Sequence, residues 1–211
     1  LLPTTRRAEM RFFTSLLLLL LFFSPVLAEE YDGIWFLGFN TKKSACRNQE
    51  IRLKIAQALT KEAPSIIPPG NVGACDPFSL QDFDASAIRF PRTVTLLHTD
   101  GVKTKEIAKD IDHKLAKAGV KVKIKIVDYA KGRTWEETLA KEQFDLFLMG
   151  YKAKSSKDLL LGLFSPKGEA NFTKYNNKSI TGLIGANKLK EANLLLQQEM
   201  PALVIFYITK L

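Results

Sequence analysis

Three consecutive segments in the middle of the chain leave few folds open. "TVTLLHT" (Thr93 to Thr99) is apolar and β-branched, as a strand requires. "KTKEIAKDIDHKLAKAG" aligns Ile107, Ile111 and Leu115 on one side of a helix. "VKVKIKIVDY" alternates strictly, with Val120, Val122, Ile124 and Ile126 on one face and Lys121, Lys123 and Lys125 on the other. Strand, helix and strand in this order form a β-α-β unit, so the two strands lie parallel with a right-handed crossover. The lysine face makes the second strand either a sheet edge guarded by charge or a stripe that binds phosphate.

The remaining segments fit around that unit. "GIWFLGFN" (Gly33 to Asn40) reads as a strand entering a turn. "RNQEIRLKIAQALTKEA" places Ile51, Ile55, Ala58 and Leu59 on one helical face with the charges opposite, and Pro64 stops it. Prolines, glycines and aspartates recur from Ser65 to Arg92, which predicts a long irregular connection with at most a helical turn. Gly119 stands where a helix C-cap is wanted, and Thr134 with Glu137 has the spacing of a capping box. "FDLFLMGY" is apolar on both faces and belongs in the centre of a sheet. After it come a short helix, "SKDLLLGLF", a polar stretch from Ser165 to Asn177, a helical region from Leu183 to Met200 closed by Pro201, and a last strand, "ALVIFYIT". The fold class is α/β, a single lobe on a mixed sheet over residues 29–211.

Ahead of this lobe, Met10-Arg11 precedes an apolar run, Leu16 to Phe23, then Ser24-Pro25 and the small-residue ending Val26-Leu27-Ala28. That is the plan of a secretory signal peptide, with its start at Met10 and cleavage after Ala28. A membrane anchor is the other reading, but the run falls short of the roughly 20 apolar residues that a span needs. No cysteine follows the cut, so a lipid anchor is not expected. Export places Cys46 and Cys75 where thiols can oxidise, across a segment rich in turn residues; they read as a disulfide or as two separate buried thiols. The formal net charge is +9, and it falls to +7 when Arg6, Arg7 and Arg11, against the single Glu9, leave with the leader. A basic exported protein can face an anionic surface or ligand, but scattered lysines do not make a nucleic-acid site.

The chain has no G-x-S-x-G, H-E-x-x-H or phosphate-loop motif, and its two histidines, His98 and His113, are far apart. Two cysteines and two distant histidines lack metal-ligand spacing. His113 falls on the outer side of its helix. His98, beside Thr99 and Asp100 at a strand's end, is a turn histidine, or the residue on which a hydrolase on an unfamiliar scaffold would depend. Trp35 and Trp135 read as packing residues before ligand-stacking ones. No enzyme and no cofactor is expected.

Seven pieces taken in order carry a resemblance: "WFLGFNTKK", "IRLKIAQAL", "IIPPG", "IAKDIDHKLAKAGVKVKIKIVDY", "FDLFLMGYKAK", "NFTKYNNKSITGLI" and "LLLQQEMPALVIFY". Together they resemble the C-terminal lobe of the peptide- and nickel-binding solute-binding proteins of bacterial ABC importers. The resemblance implies a periplasmic or secreted, type II binding-protein lobe, a ligand held against a second lobe, and docking on a permease. It implies ligand contacts from Tyr151, Lys152, Lys154, Asn171 and Tyr175. In peptide-binding members the loop after the central strand reads Gly-Trp-x-Ala-Asp, its acid pairing the ligand's amino terminus. Here it reads Gly150-Tyr151-Lys152-Ala153-Lys154, so the acid is replaced by a cation and the preference shifts toward an anion. The family's N-P-x-x-D segment appears as Asn177-Lys178-Ser179-Ile180-Thr181, without the proline or the acid. The chain is under half the family's usual length. It is either a binding module completed by a partner or a shortened relative without transport function.

Overall fold

The computed structural model describes residues 30–127, 134–141 and 143–210; the expected leader lies outside them. The strands are β1 (Tyr31–Phe39), β2 (Glu62–Ala63), β3 (Phe78–Ser79), β4 (Thr93–Thr99), β5 (Lys121–Val127), β6 (Leu146–Lys152) and β7 (Ala202–Thr209). The helices are α1 (Ser44–Arg47), α2 (Gln49–Leu59), α3 (Val102–Lys117), α4 (Trp135–Lys141), α5 (Ser156–Phe164), α6 (Lys178–Gly185) and α7 (Leu189–Glu199).

Five strands form one sheet in the order β5-β4-β6-β1-β7, while β2 and β3 pair as a separate short ladder. β4 is parallel to β5 and to β6, and β1 runs antiparallel to both of its neighbours, β6 and β7. β6 is central, as its two apolar faces require: Phe147 packs into one core and Leu146 and Leu148 into the other. Helices α4 to α7 cover the Ile34, Phe36 and Phe147 side, and α2 and α3 cover the Leu37, Phe39 and Leu96 side. The result is a helix-sheet-helix sandwich.

The lysine-bearing strand β5 is an edge, as one reading of its alternation has it. Its apolar face is only partly covered, because α3 shields Val120 at its start while Ile124 and Ile126 stay 42% and 48% exposed. The capping box forms: Thr134 Oγ1 accepts the Glu137 amide at 3.1 Å, and Glu137 Oε2 accepts the Thr134 amide at 3.4 Å.

Four expectations are corrected. α2 ends at Leu59, where Thr60 is already extended and the chain turns into β2, so Pro64 lies beyond the stop. The buried face of α2 is Arg52, Leu53, Ile55 and Ala56, with Arg52 in the interior instead of on the charged side. The last helical region is two helices, separated by a turn at residues 186–188 and closed by Met200 in the left-handed region at φ 49°.

The fourth correction is the disulfide, for Cys46 and Cys75 are both free thiols. Cys46 is fully buried in the core beneath α2 and α3, where burial pushes its thiol up to about 12. Cys75 lies toward the other layer and donates to Gln197 Oε1 at 2.9 Å. Two buried amides of α7 do the work expected of a cross-link. Asn193 donates to Ser65 Oγ at 2.8 Å and to the Gly73 carbonyl at 2.9 Å, and accepts the Ile66 amide at 3.2 Å. Gln197 donates to the carbonyls of Ala63 and Asp76 at 3.2 and 3.1 Å. The irregular segment is thereby tied to α7, away from Cys46.

Candidate functional site: a basic groove at the exit of the central strand

Residues at the exit of β6 lie beside the first residues of β1, because β1 runs antiparallel and pairs Gly33 with Lys152. The Ala153 amide donates to the Asp32 carbonyl at 2.9 Å, which fixes the exit of β6. Ser155 then caps α5: its Oγ accepts the Asp158 amide at 3.1 Å and donates to Asp158 Oδ2 at 2.7 Å. The two residues between strand and cap, Ala153 and Lys154, therefore have little freedom.

A groove of about 1000 Å³ lies over this exit, walled by residues 68–72 and by Asn187 and Leu189. Its charges are unequal. Lys152 Nζ pairs with Asp32 Oδ2 at 3.0 Å, and Lys210 Nζ pairs with Glu30 Oε2 at 2.8 Å. The Lys210 bond holds the Glu30 carboxyl below its usual range, and the same bond raises Lys210. Both acids of the groove are thus engaged. Lys154 and Lys157 also line it, and neither has an acidic partner among the described residues, so the surplus charge is positive.

Tyr151 points away from this groove. Its ring rests on α5 at Gly162, where a Cβ would lie 2.1 Å from the phenol oxygen, and its hydroxyl donates to Glu169 Oε1 at 2.9 Å. Burial, with the Glu169 bond, pushes that hydroxyl up to about 12, so it remains a donor at neutral pH. Asn171 is buried and fully engaged: it donates to the carbonyls of Ser165 and Tyr175 at 2.8 and 2.9 Å and accepts from Thr173 at 2.8 Å. Tyr175 is buried edge-on against Phe164.

Of the five residues expected to touch ligand, the structure brings Lys154 to the groove, sets Lys152 beside it as the counter-ion of Asp32, turns Tyr151 into a neighbouring hollow, and gives Asn171 and Tyr175 interior positions. Sequence reading missed Asp32, the counter-ion of Lys152, which only the β1–β6 register reveals. It also passed over Lys157, although "KAKSSK" carries that signal openly. His98 is buried within β4, its Nδ1 2.6 Å from the Thr99 carbonyl, and His113 is exposed on α3. Among the described residues no group of histidines, cysteines and acids could hold a metal ion, and no helix is long and apolar enough to cross a membrane.

No family model matches the chain, and no curated protein matches its sequence. Solved structures do resemble it. The murein tripeptide-binding protein MppA of Escherichia coli is 18% identical, with a TM-score of 0.68 over 92% of this chain and 46% of that one. HbpA2 of Haemophilus parasuis is 16% identical, with a TM-score of 0.74 over 86% and 43%. The ABC transporter-associated periplasmic binding protein DppA of Helicobacter pylori, solved with the peptide STSA, is 17% identical, with a TM-score of 0.69 over 91% and 46%. The chain spans less than half the length of these neighbours. It has the fold of part of a periplasmic binding protein, in agreement with the fold read from the seven sequence pieces.

Proposed function

We propose that the protein is an exported solute-binding module that holds a short peptide or another small ligand by its anionic end, in the groove at the exit of β6. The observation that carries this reading is the surplus charge of Lys154 and Lys157 beside acids already paired with Lys210 and Lys152. A carboxylate entering the groove meets cations that have no internal partner to give up. An ammonium meets the same cations as a repulsion. The peptide-sized ligand class is supported by the neighbours, one named for a murein tripeptide and one solved with a peptide. A periplasmic location and a partner closing the groove, either a second lobe or a permease, belong to the same proposal.

The test is calorimetric titration with trialanine and with trialanine amide, which differ in the terminal charge. A unit charge at about 4 Å is worth ~1 kcal/mol in a solvated setting, so Lys154→Asp changes the interaction by ~2 kcal/mol, or about thirtyfold. The expected result is that the free acid binds more tightly than the amide and that Lys154→Asp reverses the order. Equal binding of both probes, unchanged by the substitution, overturns the reading in favour of a shortened relative whose lysines serve only solubility.

A further inference from the structure

A second concavity lies on the other side of the β6 exit, and its origin is topological. β4 leads into α3, which packs on one face of the sheet, whereas β6 leads into α5, which packs on the other. Parallel neighbours whose connections depart to opposite faces separate at their carboxyl ends. β4 and β6 pair only through Leu96 with Leu146 and Leu97 with Phe147. Toward the start of the strands, Asp145 extends the contact, its amide donating to the Thr95 carbonyl at 3.0 Å and its Oδ2 accepting the Thr95 amide at 2.8 Å. Toward their ends the two strands run on unpaired, and a crevice of about 500 Å³ opens.

Its walls are aromatic, and they are held in place. Trp35 reaches across β6 from β1 because residue 150 is glycine, where a Cβ would stand 2.8 Å from the indole. Phe206 stacks on that indole at 5.9 Å and 23°. Trp135 is fixed by its N–H on Met149 Sδ at 2.9 Å, and Tyr151 by its bond to Glu169. Phe172 closes the remaining side. The polar inventory is short. Glu169 is exposed and spends Oε1 on Tyr151, and Oε2 has no partner among the described residues; the Trp35 N–H has no acceptor among them either. No lysine or arginine among the described residues lines the crevice.

Ring faces attract cations, and a single carboxylate beside them adds a charge-assisted hydrogen bond. We infer that this crevice is a binding site for an aryl- or alkylammonium group, with Trp35 and Trp135 as its walls and Glu169 as its counter-ion. Its charge preference is opposite to that of the groove, and it does not depend on the groove binding anything.

Both tryptophans of the chain line the crevice, so intrinsic fluorescence reports its occupancy. The probes are phenethylammonium and 3-phenylpropionate, which share an apolar body and differ in charge. The ammonium is expected to change the emission saturably and to bind more tightly than the carboxylate. Glu169→Gln, which keeps an acceptor for Tyr151, is expected to weaken it about tenfold, the worth of one charge-assisted bond at an open site. Lys157→Asp leaves that dissociation constant within about twofold, because Lys157 lines the groove and not the crevice. Trp35→Ala, judged by the remaining Trp135 emission and an unchanged circular dichroism spectrum, also weakens binding. No saturable change, equal binding of the two probes, or indifference to Glu169→Gln overturns the inference. Each of these results leaves the trialanine experiment free to succeed or fail by itself.

Discussion

Replacing Arg52 with methionine should cost the protein a large share of its stability. The side chain is 3% exposed, and its guanidinium donates to four carbonyl groups: Glu199 and Met200 at the end of α7, and Cys46 and Arg47 in α1. Those carbonyls lie at helix ends, where no intrahelical donor remains for them. Its ion pair with Glu199 is long, 3.7 Å, and its partner side chain is 35% exposed, so that contact adds little. Burial lowers the Arg52 pKa, and the Glu199 carboxylate opposes that shift only in part. Methionine fills a similar volume and removes the cation, but leaves the four acceptors without their donor. At about 1 kcal/mol for each abandoned acceptor, the loss is ~3–4 kcal/mol, against ~5–15 kcal/mol for a whole domain. Equilibrium unfolding in urea, followed by far-UV circular dichroism, should show the midpoint lowered by ~1.5–2 M at an unchanged slope of ~2 kcal/mol per M. Arg52→Lys should recover only part, since an ammonium cannot span carbonyls presented to a planar fork. A loss below ~1 kcal/mol for Arg52→Met would refute this account and return the residue to the charged surface where helical periodicity placed it.

Two further expectations follow from the thiols and the rim. Protein purified without reductant should show two titratable thiols per chain after unfolding and no mobility change on reduction; in the native state at pH 8, Cys46 should resist thiol reagents because burial holds its pKa at about 12. Glu30 should titrate below the ordinary carboxylate value of 4.5 in an NMR experiment, and Lys210→Met should return it to that value. The sign is that of a depressed acid: whatever this pair contributes is present above the unfolded pKa and is lost as pH falls through the lower folded one.

What could be read from the sequence was whatever is local. The apolar faces of β6 and the Thr134–Glu137 cap are each decided within a few residues and formed as read, and β5 is a strand at the sheet edge, although its Ile124 and Ile126 stay exposed. Arg52, the cysteines and Asn193 were misread or passed over because their partners lie far along the chain. Nothing in "EIRLKIAQAL" announces that the end of α7, 147 residues away, will supply carbonyls to an arginine. The disulfide reading failed for the same reason, since the amides that replace it are on α7 and look in the sequence like ordinary polar positions of an amphipathic helix. The candidate site divides along the same line: Lys152 and Lys154 were visible as a broken motif, whereas Asp32 depends on strand register and Glu169 on how Tyr151 folds onto Gly162.

Sheet order explains why two concavities of opposite charge preference flank one short peptide. β1 reverses direction beside β6, which brings Asp32 and Glu30 to the strand exit and neutralises Lys152 there and Lys210 nearby. On the other flank β4 parts from β6, and aromatic side chains from β1, α4 and β6 converge on the opening. Tyr151 to Lys154 is the partition between them: Tyr151 lines the aromatic crevice and Lys154 the basic groove, and both also border a hollow that they share with Lys152, Lys167 and Glu169. Exchanging the charge at Lys157, which lines the groove and not the crevice, should therefore act on the groove, and removing the charge at Glu169 on the crevice. A ligand with an anionic and a cationic end, a zwitterion long enough to cross the partition, should feel both substitutions, and their effects on its binding should add because the two sites share no side chain that has to move.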